Sequence, residues 1–168
     1  GSQGFVFDGV GHNCYVVRYD VRDSCLAHER IRFIVPVPGG VETTTADDLV
    51  RYAAEALGQP VPPNGAVSAA SVELTDEVCT GARCLTCGFE RRTLRALRQL
   101  RREDALCPRC QGIMRLRLTH RIRAGSPLAR RPLRELGVPP WEIVAVRMPG
   151  GRRVHVELQG DRCALLGG

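Results

Sequence analysis

The sequence predicts an α+β chain: a small mixed sheet with one main helix, then a four-cysteine ribbon and a C-terminal β-hairpin. Three observations predict it. Short runs rich in β-branched and aromatic residues recur towards both ends of the chain. One segment, 46–57, has clean helical periodicity. Between these regions lie two Cys-x-x-Cys pairs.

Segments 4–8 (GFVFD) and 13–21 (NCYVVRYDV) read as strands, with Gly9, Gly11 and Asn13 supplying the turn between them. Segment 31–37 (IRFIVPV) is a third strand, and Pro36 suits a sheet edge because it has no N–H to give to a neighbour. Pro38-Gly39-Gly40 ends it. In 46–57 (ADDLVRYAAEAL), Leu49, Val50, Ala53, Ala54 and Leu57 share one face. Thr45 is its N-cap, Asp47 and Asp48 suit the positive N-terminal end, and Gly58 followed by Pro60 stops it. Segment 60–65 (PVPPNG) reads as a loop or hinge, and 66–79 as extended chain.

Segment 89–104 carries Leu94, Leu97 and Leu100 with arginines between them, a pattern that fits a short amphipathic helix or a basic hairpin. Segment 132–136 predicts one helical turn ending at Gly137, which Pro139-Pro140 keeps from continuing. Segments 142–148 and 152–158, joined by Pro149-Gly150-Gly151, alternate as a hairpin should. Residues 1–3 are set aside as a tag remnant or linker, since Gly1-Ser2 reads as a cleavage scar. The remainder divides on this reading into a unit at 4–76 and a unit at 77–168, with the hinge near 60–65 or 75–80.

The strongest chemical signal is Cys84-Leu85-Thr86-Cys87, then 19 residues, then Cys107-Pro108-Arg109-Cys110. Each pair brings two thiolates to one ion from a tight turn, and Gly88 and Gly112 lie just beyond the pairs, where such turns need small residues. Four thiolates make a closed tetrahedral set with no position for water or substrate, which predicts a structural Zn2+ site. The other thiols, Cys14, Cys25, Cys79 and Cys163, lack a partner pattern, and burial as small apolar side chains accounts for them. Cys25 is nonetheless the candidate nucleophile, because Arg22, Arg30 and His28 beside it would lower its pKa. Cys79 is a candidate spare thiol beside the metal site.

Charge and composition exclude some functions. All 24 basic residues are arginines, so no P-loop lysine exists. No apolar run approaches the roughly 18 residues needed to span a bilayer. Tight cysteine pairs and no visible export signal predict a reducing, cytoplasmic setting. Gly9-Val10-Gly11-His12-Asn13-Cys14 lacks the third glycine and the following helix of a dinucleotide fingerprint. Residues 83–131 hold 14 Arg against Glu90, Glu103 and Asp104. That surplus suits nucleic acid or an acidic protein partner.

Two stretches together resemble a known family. Phe5-Val6-Phe7-Asp8 running into Cys14-Tyr15, with Cys25 soon after, resembles the strand that follows the nucleotide site of ThiF/MoeB/HesA-type adenylating enzymes. The later run looks like the C-terminal extension of some bacterial members. It comprises the four cysteines, Leu118-Thr119-His120-Arg121-Ile122, the stretch from Leu136 through Trp141 to Val144, and Leu158-Gln159-Gly160-Asp161. Family members often carry a four-cysteine zinc site, with the pairs farther apart in the better known ones than here.

The resemblance implies a parent that binds ATP and Mg2+ and adenylates the C-terminal glycine of a ubiquitin-like or sulfur-carrier protein. The motifs for that chemistry lie outside this sequence. The chain is then expected to be a non-catalytic, zinc-stabilised module that supports the parent adenylation domain and docks the carrier, using the 142–158 hairpin as a sheet edge and the arginines of 91–102 as a basic contact. Cys25 is the residue nearest in position to a thioester-forming cysteine. The alternative expectation is a nucleic-acid-binding zinc ribbon.

Overall fold

The first strand pair closes on its own. β1 (Ser2–Asp8) and β2 (Asn13–Tyr19) are antiparallel, with Phe5 opposite Val16 and Phe7 opposite Cys14. Asp8 Oδ1 accepts from the Val10 N–H at 3.0 Å, and His12 takes a positive φ of 52°, so the turn is built by a carboxylate and a left-handed residue. A strand rather than a helix follows it, as the rejection of a dinucleotide fingerprint requires. The computed structural model describes residues 2–19, 31, 33–60 and 69–166. The chain divides into two compact units, Gly1–Ile31 and Arg32–Gly168.

In the larger unit the strand predicted at 31–37 is β3 (Ile34–Val37), and it pairs in parallel with the far end of the chain. The helix is α1 (Ala46–Ala56). Thr45 caps it as expected: its Oγ1 accepts from the Asp48 N–H at 3.2 Å while Asp48 Oδ2 accepts from the Thr45 N–H at 3.0 Å, a reciprocal capping box. Ala46, Leu49, Val50, Ala53 and Ala54 are buried. The remaining strands are β4 (Ser71–Cys84), β5 (Glu90–Ala96), β6 (Met114–Arg123), β7 (Ile143–Arg147) and β8 (Arg153–Leu158). A short helix, α2 (Arg162–Leu166), ends the described chain.

The sheet runs β3-β8-β7-β4-β5, with β6 also paired to β4. β4 is its spine. Its first residues pair with β7 (Ser71–Glu73 against Ala145–Arg147) and its last with β5, while β6 accompanies it on the other side. Register shifts between Glu73 and Val78 and between Cys79 and Gly81 bend it. α1 covers one side of the β3-β8-β7-β4 region, where Val35, Val37, Val72, Val144, Val146, Val154, Val156 and Leu158 join its apolar face in the main core.

Several expectations need correction. The chain does not divide near residue 76, because β4 passes unbroken through that position and 31–37 belongs to the sheet of the second unit. The hinge at 60–65 falls mostly outside the described residues. Segment 89–104 is neither helix nor hairpin: it is β5 followed by 3-10 turns at Leu97–Gln99 and Arg102–Ala105. β4 already offers a partner to its backbone, which outweighs the modest helical pattern. The 142–158 hairpin is not a free edge, since β7 pairs with β4 and β8 with β3. The turn at Leu133–Leu136 and its stop at Gly137 (φ 79°) are as predicted.

Candidate metal centre

The far end of β4 and the start of β6 meet over a second, small core of Ala82, Cys84, Cys107 and Met114, with Phe89 and Leu116 half-buried against it. Cys84 is the last residue of β4, and the chain turns back after Cys87 into β5. Cys107 and Cys110 sit on the loop that leads into β6. Leu106 and Ile113 bridge across the base of that loop.

Each Cys-x-x-Cys forms a closed knuckle. In the first, the Thr86 and Cys87 N–H groups both donate to Cys84 Sγ at 3.4 Å, and the Cys84 N–H donates to Phe89 O at 2.8 Å. In the second, the Cys107 N–H donates to Gly112 O at 2.8 Å and the Gln111 N–H to Cys107 O at 2.9 Å. The two glycines serve different needs. Gly88 occupies the left-handed region (φ 71°), where a side chain is strained. In the second knuckle Gln111 takes that conformation (φ 58°), and Gly112 is needed for space: a Cβ there would lie 2.5 Å from Thr86 Oγ1 and 3.3 Å from Cys110 Sγ.

All four sulfurs lie within 4.8 Å of one another. Cys84 Sγ is 3.5 Å from Cys110 Sγ, and Cys87 Sγ is 3.6 Å from Cys107 Sγ. A disulfide needs about 2.05 Å. Thiolates around a tetrahedral ion at the usual Zn–S length of about 2.3 Å lie about 3.8 Å apart. These two separations lie closer to the second arrangement. Cys84 and Cys107, the first of each pair, are buried, while Cys87 and Cys110 face outward.

The surroundings tune the sulfurs unequally. The backbone N–H of Cys87, helped by that of Thr86, holds the Cys84 thiol at about 6, far below its ordinary value. The Gly112 N–H likewise favours the Cys110 thiolate. The neighbouring sulfurs of Cys84, Cys87 and Cys107, together with burial, outweigh it and push Cys110 up to about 12. Cys84 is thus the sulfur favoured as thiolate and Cys110 the one held as thiol, as expected of sulfurs crowded around one point. The four cysteines are thus compatible with a structural metal such as zinc, and the set leaves no open coordination position.

The surroundings are arginine-rich. Arg109 stacks on Phe89, 4.7 Å from the ring centroid. Arg91 reaches the Asp104 carbonyl at 2.6 Å and ties the 3-10 turn after β5 to the sheet. A cleft of about 460 Å³ beside the first knuckle is lined by Arg83, Arg115 and the knuckle loop. No acid–base pair lines it.

The other predicted site residues are not brought to this centre. Cys25 and His28 lie outside the described residues. Cys14 is exposed on β2, in the other unit. Cys79 is buried with its thiol donating to Gly81 O at 3.3 Å, so it is a core residue and no fifth member of the cluster. Among the described residues this is the one group of three or more His, Cys, Asp or Glu side chains placed to share an ion. No described helix is long and apolar enough to cross a membrane.

Two polar centres escaped the sequence reading. Asp161 is buried and accepts from the Val41 N–H at 3.1 Å and the Trp141 N–H at 3.0 Å. It thereby joins the end of β8 to the segments before α1 and β7, and it holds Trp141 at a positive φ of 55°. Glu73 accepts from Arg121, Arg147 and Arg153. A lone acid in the apolar start of β4 was the available signal for it. No protein-family model matches the sequence, and searches of curated proteins and of solved structures find no match.

Proposed function

We propose that this chain is a non-catalytic, zinc-stabilised module of a ThiF-type adenylating enzyme, which supports the parent enzyme and docks its ubiquitin-like or sulfur-carrier protein. The closed four-sulfur cluster carries the reading. A site with four protein ligands and no open position orders a chain and does no chemistry on a substrate. Zinc is the ion of choice because thiolate ligands in a tetrahedral arrangement select it over harder cations.

The C-terminal stretches that carry the resemblance meet in the fold. The residues that carry the resemblance near the C-terminus act as one structural unit. Asp161, at the end of Leu158-Gln159-Gly160-Asp161, binds the backbone of Trp141 in the middle of the 136–144 stretch. Trp141 Nε1 in turn donates to Glu157 at 3.0 Å.

The basic ribbon favours a protein partner over nucleic acid. Phe89, the aromatic residue at the ribbon, already carries Arg109 on its face and is not free to stack on a base. Two measurements test the reading. Substitution with Co2+ should give the ligand-field bands of a tetrahedral tetrathiolate site. The chain should capture a purified ubiquitin-like or sulfur-carrier protein, while showing no ATP–pyrophosphate exchange alone. Exchange activity in the isolated chain, or tight salt-sensitive binding to DNA with no capture of the carrier, would overturn it.

A further inference from the structure

The two knuckles face each other with one exposed and one buried cysteine apiece. Cys87 and Cys110 are exposed, and Cys84 and Cys107 are buried. Across the gap, Cys110 Sγ lies 3.5 Å from Cys84 Sγ, and Cys87 Sγ lies 3.6 Å from Cys107 Sγ. The knuckles also approach through Thr86 and Gly112: a Cβ on Gly112 would fall 2.5 Å from Thr86 Oγ1. Each outward thiol therefore has an inward thiol of the opposite knuckle as its neighbour. A tetrahedral ion alone does not require that pattern.

We propose that the cluster is a peroxide-sensitive modification site, in which oxidation joins Cys110 to Cys84 and Cys87 to Cys107 and expels the metal. The inference rests on the metal half of the reading above. It adds reversible control of the site by oxidation, and it names which sulfurs pair.

The exposed sulfurs react first, since susceptibility follows exposure and thiolate character. A peroxide oxygen bonds to Cys87 Sγ as the O–O bond breaks, which leaves a sulfenic acid and releases hydroxide. The Cys107 thiolate then attacks that sulfur: the S–S bond forms, the S–O bond breaks, and a second hydroxide departs. Both hydroxides take protons from solvent and leave as water. The same two steps join Cys110 to Cys84. Two peroxides are thereby reduced and four thiolates oxidised to two disulfides. The divalent ion is released because the thiolate is the form that ligates a metal.

Geometry carries the argument. Closing either gap to a disulfide's length of about 2.05 Å takes about 1.5 Å of movement. The Thr86 and Cys87 N–H groups hold Cys84 Sγ at 3.4 Å, so that sulfur stays in place and Cys110, exposed on its loop, supplies the motion. A resolving thiol this near captures the sulfenic acid before a second peroxide carries it to the irreversible sulfinic state. The cleft beside the first knuckle, lined by Arg83, Arg115 and Cys87, admits the oxidant, and its guanidinium groups favour the departing hydroxide. Both new bonds join one knuckle to the other. The two loops therefore stay tied after the metal leaves, and reduction returns them to a set ready to take it up again.

The test uses the full zinc-loaded chain, with hydrogen peroxide as the probe and a zinc-binding dye and peptide mapping as readouts. Peroxide should release one zinc per chain in step with the loss of four free thiols, and the mapped disulfides should be Cys84–Cys110 and Cys87–Cys107. Reduction by a phosphine should then restore zinc binding. Cys14→Ser, which removes the exposed thiol of the other unit, should change neither zinc release nor pairing. A chain that binds no zinc before treatment overturns the metal reading and this inference with it. A chain that binds zinc and keeps it under peroxide, with its four cysteines reduced, overturns the inference and leaves the metal reading standing. Disulfides within a knuckle, sulfinic or sulfonic acids in place of disulfides, zinc binding that reduction does not restore, or zinc release that depends on Cys14 overturn the inference in the same way.

Discussion

Among the described residues, the Arg32–Gly168 unit buries 23 hydrophobic residues in one cluster at its helix-bearing end and four at its cysteine end. The same strand, β4, runs through both. At the first end Val72 packs beneath α1 between Ile122 and Val146. At the second, Ala82 and Cys84 have only Met114, Cys107 and two half-buried side chains for company. A sheet with a helix on it holds together by removing apolar area from water. A cluster of that size has too little area to remove, and two of its four cysteines are exposed. The comparison teaches that the cysteine end lacks the apolar core that holds the helix-bearing end, and a metal ion shared by its four clustered sulfurs is the cross-link that would replace one.

The sharpest way to break the comparison is to remove one sulfur. Cys107→Ser should abolish metal binding and unfold the cysteine end, a loss on the order of 10 kcal/mol of metal-coupled folding energy. Hydrogen exchange should then show lost protection over β5 and the upper part of β6, with α1 still protected. A deletion at the other end should behave oppositely. Leu49→Ala, at a fully buried position, should cost about 2–5 kcal/mol in global stability and leave metal stoichiometry unchanged.

Smaller effects sharpen the picture. Asp161→Ala leaves two backbone N–H groups without their charged acceptor and should cost about 2–3 kcal/mol, read by denaturant melting. Glu73 supplies a pH dependence. Burial alone would raise its pKa, but hydrogen bonds from Arg147 and Arg153 more than offset this and hold it below the ordinary glutamate range. A carboxylate depressed on folding stabilises the fold above its unfolded pKa, and that contribution fades as the pH falls through the folded value. Melting temperature should therefore drop on acidification below the ordinary glutamate range, and Glu73→Gln should flatten that drop. Last, Gln111→Gly relieves a left-handed residue in the second knuckle and should raise stability by about 1 kcal/mol or less.

Much of this architecture was legible in the sequence, for local reasons. The α1 helix announces itself because Thr45, the acidic first turn, the apolar face and Gly58 all act within a few residues. The four cysteines are legible because a knuckle is a local structure. The β7–β8 hairpin is marked by its alternation and by Pro149-Gly150-Gly151. What escaped depends on residues far apart in the chain. Nothing near Ile34 says that it will lie parallel to His155, and that pairing moved the unit boundary to Ile31. Asp161 reaches across 120 positions to Val41. Glu73 gathers arginines from three different strands, and none of the four residues is unusual alone. Segment 90–96 became a strand because β4 was there to receive it, a fact that its own periodicity does not contain.

The most direct test of the central claim joins metal content to local order. Elemental analysis of the purified chain should find one zinc per chain, and a strong chelator should remove it while erasing hydrogen-exchange protection at Cys84–Gly88 and Cys107–Gly112 but not at α1. A metal-free chain whose two knuckles keep full protection in chelator would contradict the account.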